Sequence, residues 1–442
     1  MDYTLAIYDQ ERMDRLTIES ALPALIERGY PESLRSLDYD LSFPVRGLTV
    51  DAKLGNVIKM DRYKYVKRAY HGMRELSYDE RRELYHGTRV RAKGSTRFYF
   101  IDSLYALSEV TLFAAGITHM ESAGTPVDYH TWFYDIREAV DAVHRDGSIA
   151  RAILAEPAQY IRRDPSLPAT LHKLRSAGKK LFLLTNSPPL YTQRIMSFLL
   201  DGAPNEVRRW EHLFDLVLTS AKKPGFFVSD ETPFRDEAGG LVSRLERGRV
   251  YLEGCATALA QLAGIAGDRV LYVGDHIYGD VVRAKKHSPW RTAMIIQELA
   301  HEVAAVEQTM DAASHWDTLE AGRQVRVEEL RAARAALKEQ LPDGQLRSEE
   351  QDRERAQLKR RLERARARLH ALEAECNQLE QEIERAFHPY WGPTLKCGAE
   401  PSSFGHQVET YACLYTTRVS NLAGYSPLHY FRSPRERLPH EL

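Results

Sequence analysis

Along the chain, short apolar runs rich in β-formers stop abruptly at polar residues: Leu181 to Leu184 before Thr185, Phe214 to Leu218 before Thr219, and Val270 to Val273 before Gly274-Asp275. Short runs of this kind, bounded by polar turns, predict strands buried on both faces, as in parallel sheets. Thr292 to Gln297 adds another, and helix-like segments lie between them. The stretch from about Ala169 to Leu299 is therefore predicted to be a doubly wound α/β unit. In such sheets ligands sit beyond the carboxyl ends of the strands, where Thr185, Asn186 and Asp275 would project.

The region from Asp9 to Pro168 is too long for a simple crossover and must contain elements of its own. Within it, Phe98 to Leu107 predicts a strand or a buried helix start, and Trp132 to His144 has helical spacing. Ile136, Val140 and Val143 share one face of that helix, and Arg137, Asp141 and His144 fall on another. By spacing alone this second trio is a solvated charged face.

From Glu328 to Phe387 the composition shifts to Arg, Glu, Ala and Leu. Leu358, Leu362, Ala365, Leu369, Leu372, Cys376, Leu379, Ile383 and Ala386 recur in alternating steps that predict a coiled-coil seam. Leu341-Pro342-Asp343-Gly344 interrupts the run, so two antiparallel helices form a hairpin, either an exposed ornament or an oligomer contact. The segment from His388 to Leu442, rich in aromatics, Ser and Pro, is predicted to fold back onto the core.

Composition narrows the function classes. The 442 residues allow a large core with additional modules, and the formal net charge of -1 gives no global field toward nucleic acid or membranes. Any anion site must be local. The four cysteines, Cys255, Cys376, Cys397 and Cys413, are widely spaced without a CxxC pair, which argues against a disulfide framework or zinc and points to the cytoplasm. Apolar runs fall far short of the roughly 20 residues of a membrane helix. Asp2, Asp9, Glu11 and Arg12 interrupt the place where a secretory apolar region would lie.

MDYTLAIY at Met1 to Tyr8, TNS at Thr185 to Ser187, AKKPGFF at Ala221 to Phe227 and GDHIYGD at Gly274 to Asp280 occur in this order. Each is weak alone; order and spacing make the set specific. The chain resembles the cytosolic purine 5′-nucleotidase family of the haloacid dehalogenase superfamily, whose motifs read DMDYT, TNS, a Lys-Pro and GDHIFGD. YFIDSLYALSE, DIREAVDAVH, KKHSPWRT and YACLYTTRVSNL extend the likeness. It implies a haloacid dehalogenase-like doubly wound core over 169–325 with its first motif in 1–20. A cap bearing nucleoside-pocket residues would occupy 21–168, the helical hairpin 326–387, and a core-packing segment 388–442.

The resemblance implies magnesium-dependent hydrolysis of nucleoside 5′-monophosphates, of IMP or GMP type, through an aspartyl-phosphate. A doubly anionic phosphomonoester admits a carboxylate nucleophile only where cations screen the repulsion. Magnesium suits an oxygen-only site, and Asp275, the backbone carbonyl of Asp2, and Asp280 would serve it. Asp280 would act as ligand or in support, orienting metal-bound water or Lys223. Thr185, Asn186 and Ser187 would bind the phosphoryl group, with Lys223, rather than its neighbour Lys222, as the fixed cation. Asp2 matches the family's general acid and base.

In the family the nucleophilic Asp immediately precedes the Met of DMDYT, and here that Met is residue 1. The expectation is a start site placed too late or a fragment lacking the first strand, and little phosphatase activity from residues 1 to 442 alone. Tyr105 matches a Phe that stacks on the base, and Arg137, Asp141 and His144 match the nucleoside pocket. Ala106 and Ala150 replace a family Asn and Lys, which predicts a broader nucleotide range. Lys286 matches a residue near an activating nucleotide site, where Asp102 replaces an Asn. A homo-oligomer, dimer or tetramer, is expected, with no nucleic-acid or membrane partner. The competing readings are a phosphatase for another phosphomonoester and a noncatalytic scaffold that keeps the fold.

Overall fold

The computed structural model describes residues 1–88, 90, 94–201, 209–265, 267–339, 348–433 and 439–441. The chain divides into two compact units, 1–300 with 394–442, and 301–393.

In the first unit the four apolar runs become strands Phe182–Leu184, Leu216–Thr219, Leu271–Gly274 and Arg291–Ile295. Phe182–Leu184 pairs parallel with Leu216–Thr219, which pairs parallel with Val250–Glu253; Phe234–Arg235 closes that sheet antiparallel. Leu271–Gly274 pairs parallel with Arg291–Ile295, which pairs parallel with Leu414–Thr416. The fold is thus mixed α/β with parallel strand pairs. The expectation is a doubly wound sheet lacking its first strand; among the described residues these strands form two separate ladders. Met1–Ala6, which reaches the carboxyl ends of both, closes into a turn whose Thr4, Leu5 and Ala6 amides all point at the Met1 carbonyl. A backbone so curled offers no extended edge for pairing.

Apolar side chains from both ladders and the segments beside them, including Leu184, Leu218, Phe226, Phe227, Tyr251, Tyr272 and Trp290, form one buried cluster. Another joins Ile277, Val282, Met294 and Ile296 to Phe404 and Val408 of the carboxyl-terminal segment. Full burial of a Phe contributes roughly 1.5–3 kcal/mol, which explains why this segment packs back on the core.

The region ahead of these strands builds a five-stranded antiparallel sheet in the order Arg74–Glu75, Val66–His71, Asn56–Met60, Thr49–Asp51, Phe98–Phe100. Phe98 to Leu107 contains both predicted forms: the strand, and at Leu107 the start of the helix Leu107–Ser122. The helix Tyr129–Arg145 buries Trp132, Phe133, Ile136, Ala139, Val140 and Val143, the face its spacing marked. Gly116 lies against the Trp132 ring so closely that no Cβ fits there.

In the second unit the helices Leu299–Glu339 and Glu349–Phe387 pack through Leu330, Ala333, Leu362, Ala365 and Leu369, with Val327 and Leu337 beside them. His315 lies opposite Glu375, 3.9 Å apart, so the two run antiparallel. The first helix begins well ahead of Glu328, because the composition shift marks where the Leu and Ala seam starts and not where the backbone becomes helical. Leu341-Pro342-Asp343-Gly344 lies outside the described residues. Among the described residues, no helix is long and apolar enough to cross a membrane.

Candidate active site

Thr185 follows the Phe182–Leu184 strand and is buried. Its hydroxyl accepts from the Ser187 amide at 3.1 Å, and its carbonyl accepts from the Ala221 amide at 3.0 Å. Asn186 clasps the neighbouring loop in both directions: Oδ1 accepts from the Lys223 amide at 2.6 Å and Nδ2 donates to the Lys223 carbonyl at 3.0 Å. The side chain expected to donate to phosphate thus holds the lysine loop and keeps one Nδ2 hydrogen for another acceptor. The helix Pro189–Leu200 opens immediately beyond, with Pro188 as its cap residue.

The corner after the Leu216–Thr219 strand places Ser220 and Lys222 at φ of 48° and 55°, in the left-handed region that non-glycine residues rarely enter. The two lysines consequently diverge. Lys222 is exposed and pairs with Glu253 at 2.6 Å. Lys223 turns inward, its Nζ 2.7 Å from Asp280 Oδ1 and 2.9 Å from the Tyr272 hydroxyl. Burial alone would lower the pKa of this ammonium, but Asp280 and Tyr272 outweigh it and raise it, so Lys223 stays charged. Burial likewise works against the Asp280 carboxylate, yet Lys223 holds it down at about 2.

Asp280 returns to the strand end because Gly274 leaves room: a methyl group there would sit 2.6 Å from the Asp280 Cβ. Its Oδ1 accepts from Lys223 and Tyr272, and its Oδ2 from the His276 amide at 3.3 Å. Asp280 thus meets Lys223 directly, one of the roles left open for it. Asp275 Oδ1 accepts from the Thr4 hydroxyl at 2.7 Å, while burial and the nearby Asp280 charge raise its pKa. Behind it, Arg46 donates to the Asp275 carbonyl at 2.8 Å.

Asp2 is held at both oxygens, by the Tyr8 hydroxyl at 2.7 Å and by the Ser187 hydroxyl. Tyr8 in turn lies 2.8 Å from the Tyr191 hydroxyl. The turn of the first motif thus binds the ends of both ladders, through Asp2 to Ser187 and through Thr4 to Asp275.

Tyr105 is 38% exposed and meets Tyr3 edge-on at 4.8 Å and His144 at 5.8 Å between ring centroids. Arg137 stacks over Tyr99 at 4.1 Å and lies 3.5 Å from Glu109 across an ion pair without a hydrogen bond. Arg137 Nε, Glu109 Oε2 and His144 Nε2 are buried without hydrogen-bond partners. Such atoms are costly unless something polar meets them. Burial pushes the Glu109 carboxyl up to about 7 against the pull of Arg137, and lowers the His144 pKa. Asp141 is near enough to act on both charges. A cleft of about 720 Å³ lined by Trp210, Thr219, Leu241, Arg244 and Tyr251 shares none of these side chains.

Among the described residues, no three His, Cys, Asp or Glu side chains form a ready cage for a metal. The carboxylates at the strand ends nonetheless offer oxygen donors, and the half-buried Asp275 accepts from the Thr4 hydroxyl rather than from a lysine. A hard cation that keeps most of its waters and takes one or two protein oxygens fits this set.

Sequence reasoning missed Tyr8, Tyr191, Tyr272, Glu109 and Arg46. Tyr272 carried the clearest signal, a phenol inside an otherwise apolar strand; Tyr8 and Glu109 stand in the quoted motifs, and Tyr191 and Arg46 touch the site only through tertiary contacts.

Carboxylates gathered around one buried lysine at the carboxyl ends of parallel strands define a mixed α/β protein with a charged corner suited to an anion and a hard cation. The chain belongs to the 5' nucleotidase family, whose model matches residues 1–442. It is 34% identical over 323 residues to 5'-nucleotidase domain-containing protein 2 of Rattus norvegicus, covering 69% of this chain and 57% of that one. The Homo sapiens protein of the same description is 33% identical over 323 residues, covering 69% and 61%. The chain thus spans about three-fifths of the length of these relatives.

Proposed function

We propose that this protein is a haloacid dehalogenase-type phosphomonoester hydrolase acting on nucleoside 5′-monophosphates with a magnesium ion. The observation that carries this reading is the meeting of Asp2, Ser187, Lys223 and Asp275 at one rim of the parallel strands, with Thr185 beneath. Family membership supports nucleotide phosphate chemistry.

In this reading Lys223, kept cationic by Asp280, neutralises phosphoryl oxygens, and the Thr185 hydroxyl and the second Nδ2 hydrogen of Asn186 supply short-range donors. Asp275, with the Asp2 carbonyl, would hold magnesium, which supplies charge neutralisation on the phosphoryl group. In the family's motif DMDYT the attacking carboxylate immediately precedes the Met that Met1 matches. Asp2 gives its proton to the leaving ribose oxygen and then takes one from the water that cleaves the phosphoryl–enzyme bond. Tyr8 and Ser187 fix the orientation in which it can do both. The atoms of Arg137, Glu109 and His144 that are buried without hydrogen bonds support a purine nucleoside as the group carrying the phosphate.

The test is phosphate release from IMP, GMP, AMP and CMP, with and without magnesium, measured on this chain and on the product of its full reading frame. Magnesium-dependent release favouring IMP and GMP is expected. No release from any of the four by either protein rejects the reading.

A further inference from the structure

Arg46 lies in the segment Phe43 to Gly47, remote in sequence from every motif, and is 1% exposed. A buried guanidinium persists only where its donors are met. Its Nε and one Nη donate to the two oxygens of Glu298 at 2.7 and 2.6 Å, a bidentate pair, and the other Nη donates to the Asp275 carbonyl at 2.8 Å. The flat face of the guanidinium stands 5.4 Å from the Phe404 ring. Gly47, at φ of 92°, lets that ring approach so closely that a Cβ would collide with it. Guanidinium, carboxylate and ring leave Arg46 one orientation.

That orientation acts on Asp275 from behind. The Asp275 side chain is fixed by Thr4, and its main chain by Arg46. The next residue in the chain, His276, turns its amide to Asp280. Gln297, beside Glu298, donates to the Tyr3 carbonyl at 3.1 Å, so two consecutive residues after the Arg291–Ile295 strand tie down both the first-motif turn and the Asp275 loop.

We infer that the Arg46–Glu298 pair is a positioning device that aims the Asp275 carboxylate at its cation. The inference rests on the reading of Asp275 as the cation-binding carboxylate. Groups that orient a ligand from outside the coordination sphere typically govern metal affinity by about 10- to 100-fold. A purely structural pair would not, since matched apolar replacements of a buried pair are tolerated by the fold.

The experiment is titration of Mn²⁺, followed by the electron paramagnetic resonance signal of the free ion, into the chain and its variants. Asp275→Asn ties the binding to Asp275. The double variant Arg46→Met with Glu298→Leu is expected to keep its circular dichroism spectrum and bind Mn²⁺ about tenfold or more weakly. Glu298→Gln, which keeps shape and one hydrogen bond, is expected to fall between and serves if the double variant does not fold. Parent-like Mn²⁺ affinity in a folded double variant, or in Glu298→Gln, overturns the positioning role and leaves the proposed function standing. A parent chain that binds no Mn²⁺, or binds it unchanged after Asp275→Asn, removes the reading of Asp275 and this inference with it.

Discussion

Lys223 and Asp280 meet inside the protein, Nζ to Oδ1 at 2.7 Å, with side-chain exposures of 11% and 5%. Their attraction is bought against the desolvation of both charges, so losing one partner should be worse than losing both. Lys223→Met leaves Asp280 buried and unmatched and is expected to lower unfolding free energy by about 3–5 kcal/mol. Lys223→Met with Asp280→Leu should recover most of that in urea melts while phosphate release stays abolished. Equal destabilisation in the single and double variants would contradict the pairing.

Asp14 predicts the sign of a pH effect. It lies buried in the helix Gln10–Glu27, accepts from Gln10 at 2.9 Å, and burial pushes its pKa from 3.8 to about 8. Between those values the folded state binds more protons than the unfolded one, so stability falls as pH rises through this window. The slope contributed is at most about 1.4 kcal/mol per pH unit. Asp280, depressed to about 2, acts only below 3.8, where its stabilisation is lost as pH falls. Urea midpoints from pH 5 to 8 should decline less steeply in Asp14→Asn than in the parent; identical slopes would refute the assignment.

The grip of Tyr8 and Ser187 on Asp2 makes its role separable from charge alone. Asp2→Asn should reduce kcat for phosphate release by about 10²- to 10⁴-fold, the usual worth of a positioned acid and base. Tyr8→Phe, which removes one of the two hydrogen bonds, should fall between parent and Asp2→Asn. Steady-state kinetics decide this, and unchanged turnover in Asp2→Asn would exclude it as the proton carrier.

Tyr105, edge-on to Tyr3 and His144, offers its ring to a base. Tyr105→Ala should weaken nucleotide binding by about 1–3 kcal/mol, the range for base stacking, and appear in KM more than in kcat. Ribose 5-phosphate, which has no base, should show no such change. A matching loss for both substrates would place Tyr105 outside the nucleoside site.

Several features were legible before any fold was known. The apolar runs ending at Thr185, Thr219 and Gly274 marked the strands, because a strand buried on both faces must be apolar throughout. The periodicity of Trp132 to His144 marked the buried face of its helix, because burial selects side chains every 3.6 residues. The motif resemblance already favoured Lys223 over Lys222 and offered Lys223 as one partner of Asp280; only the tertiary structure decided that Asn186 holds a loop and that Asp280 meets Lys223 directly. Those outcomes depend on positive-φ corners and on contacts between residues dozens to hundreds of positions apart, which local pattern does not encode. Arg46, Glu298 and Glu109 are the extreme case: each reads as an ordinary surface charge, and it is their desolvation among distant partners that gives them a role.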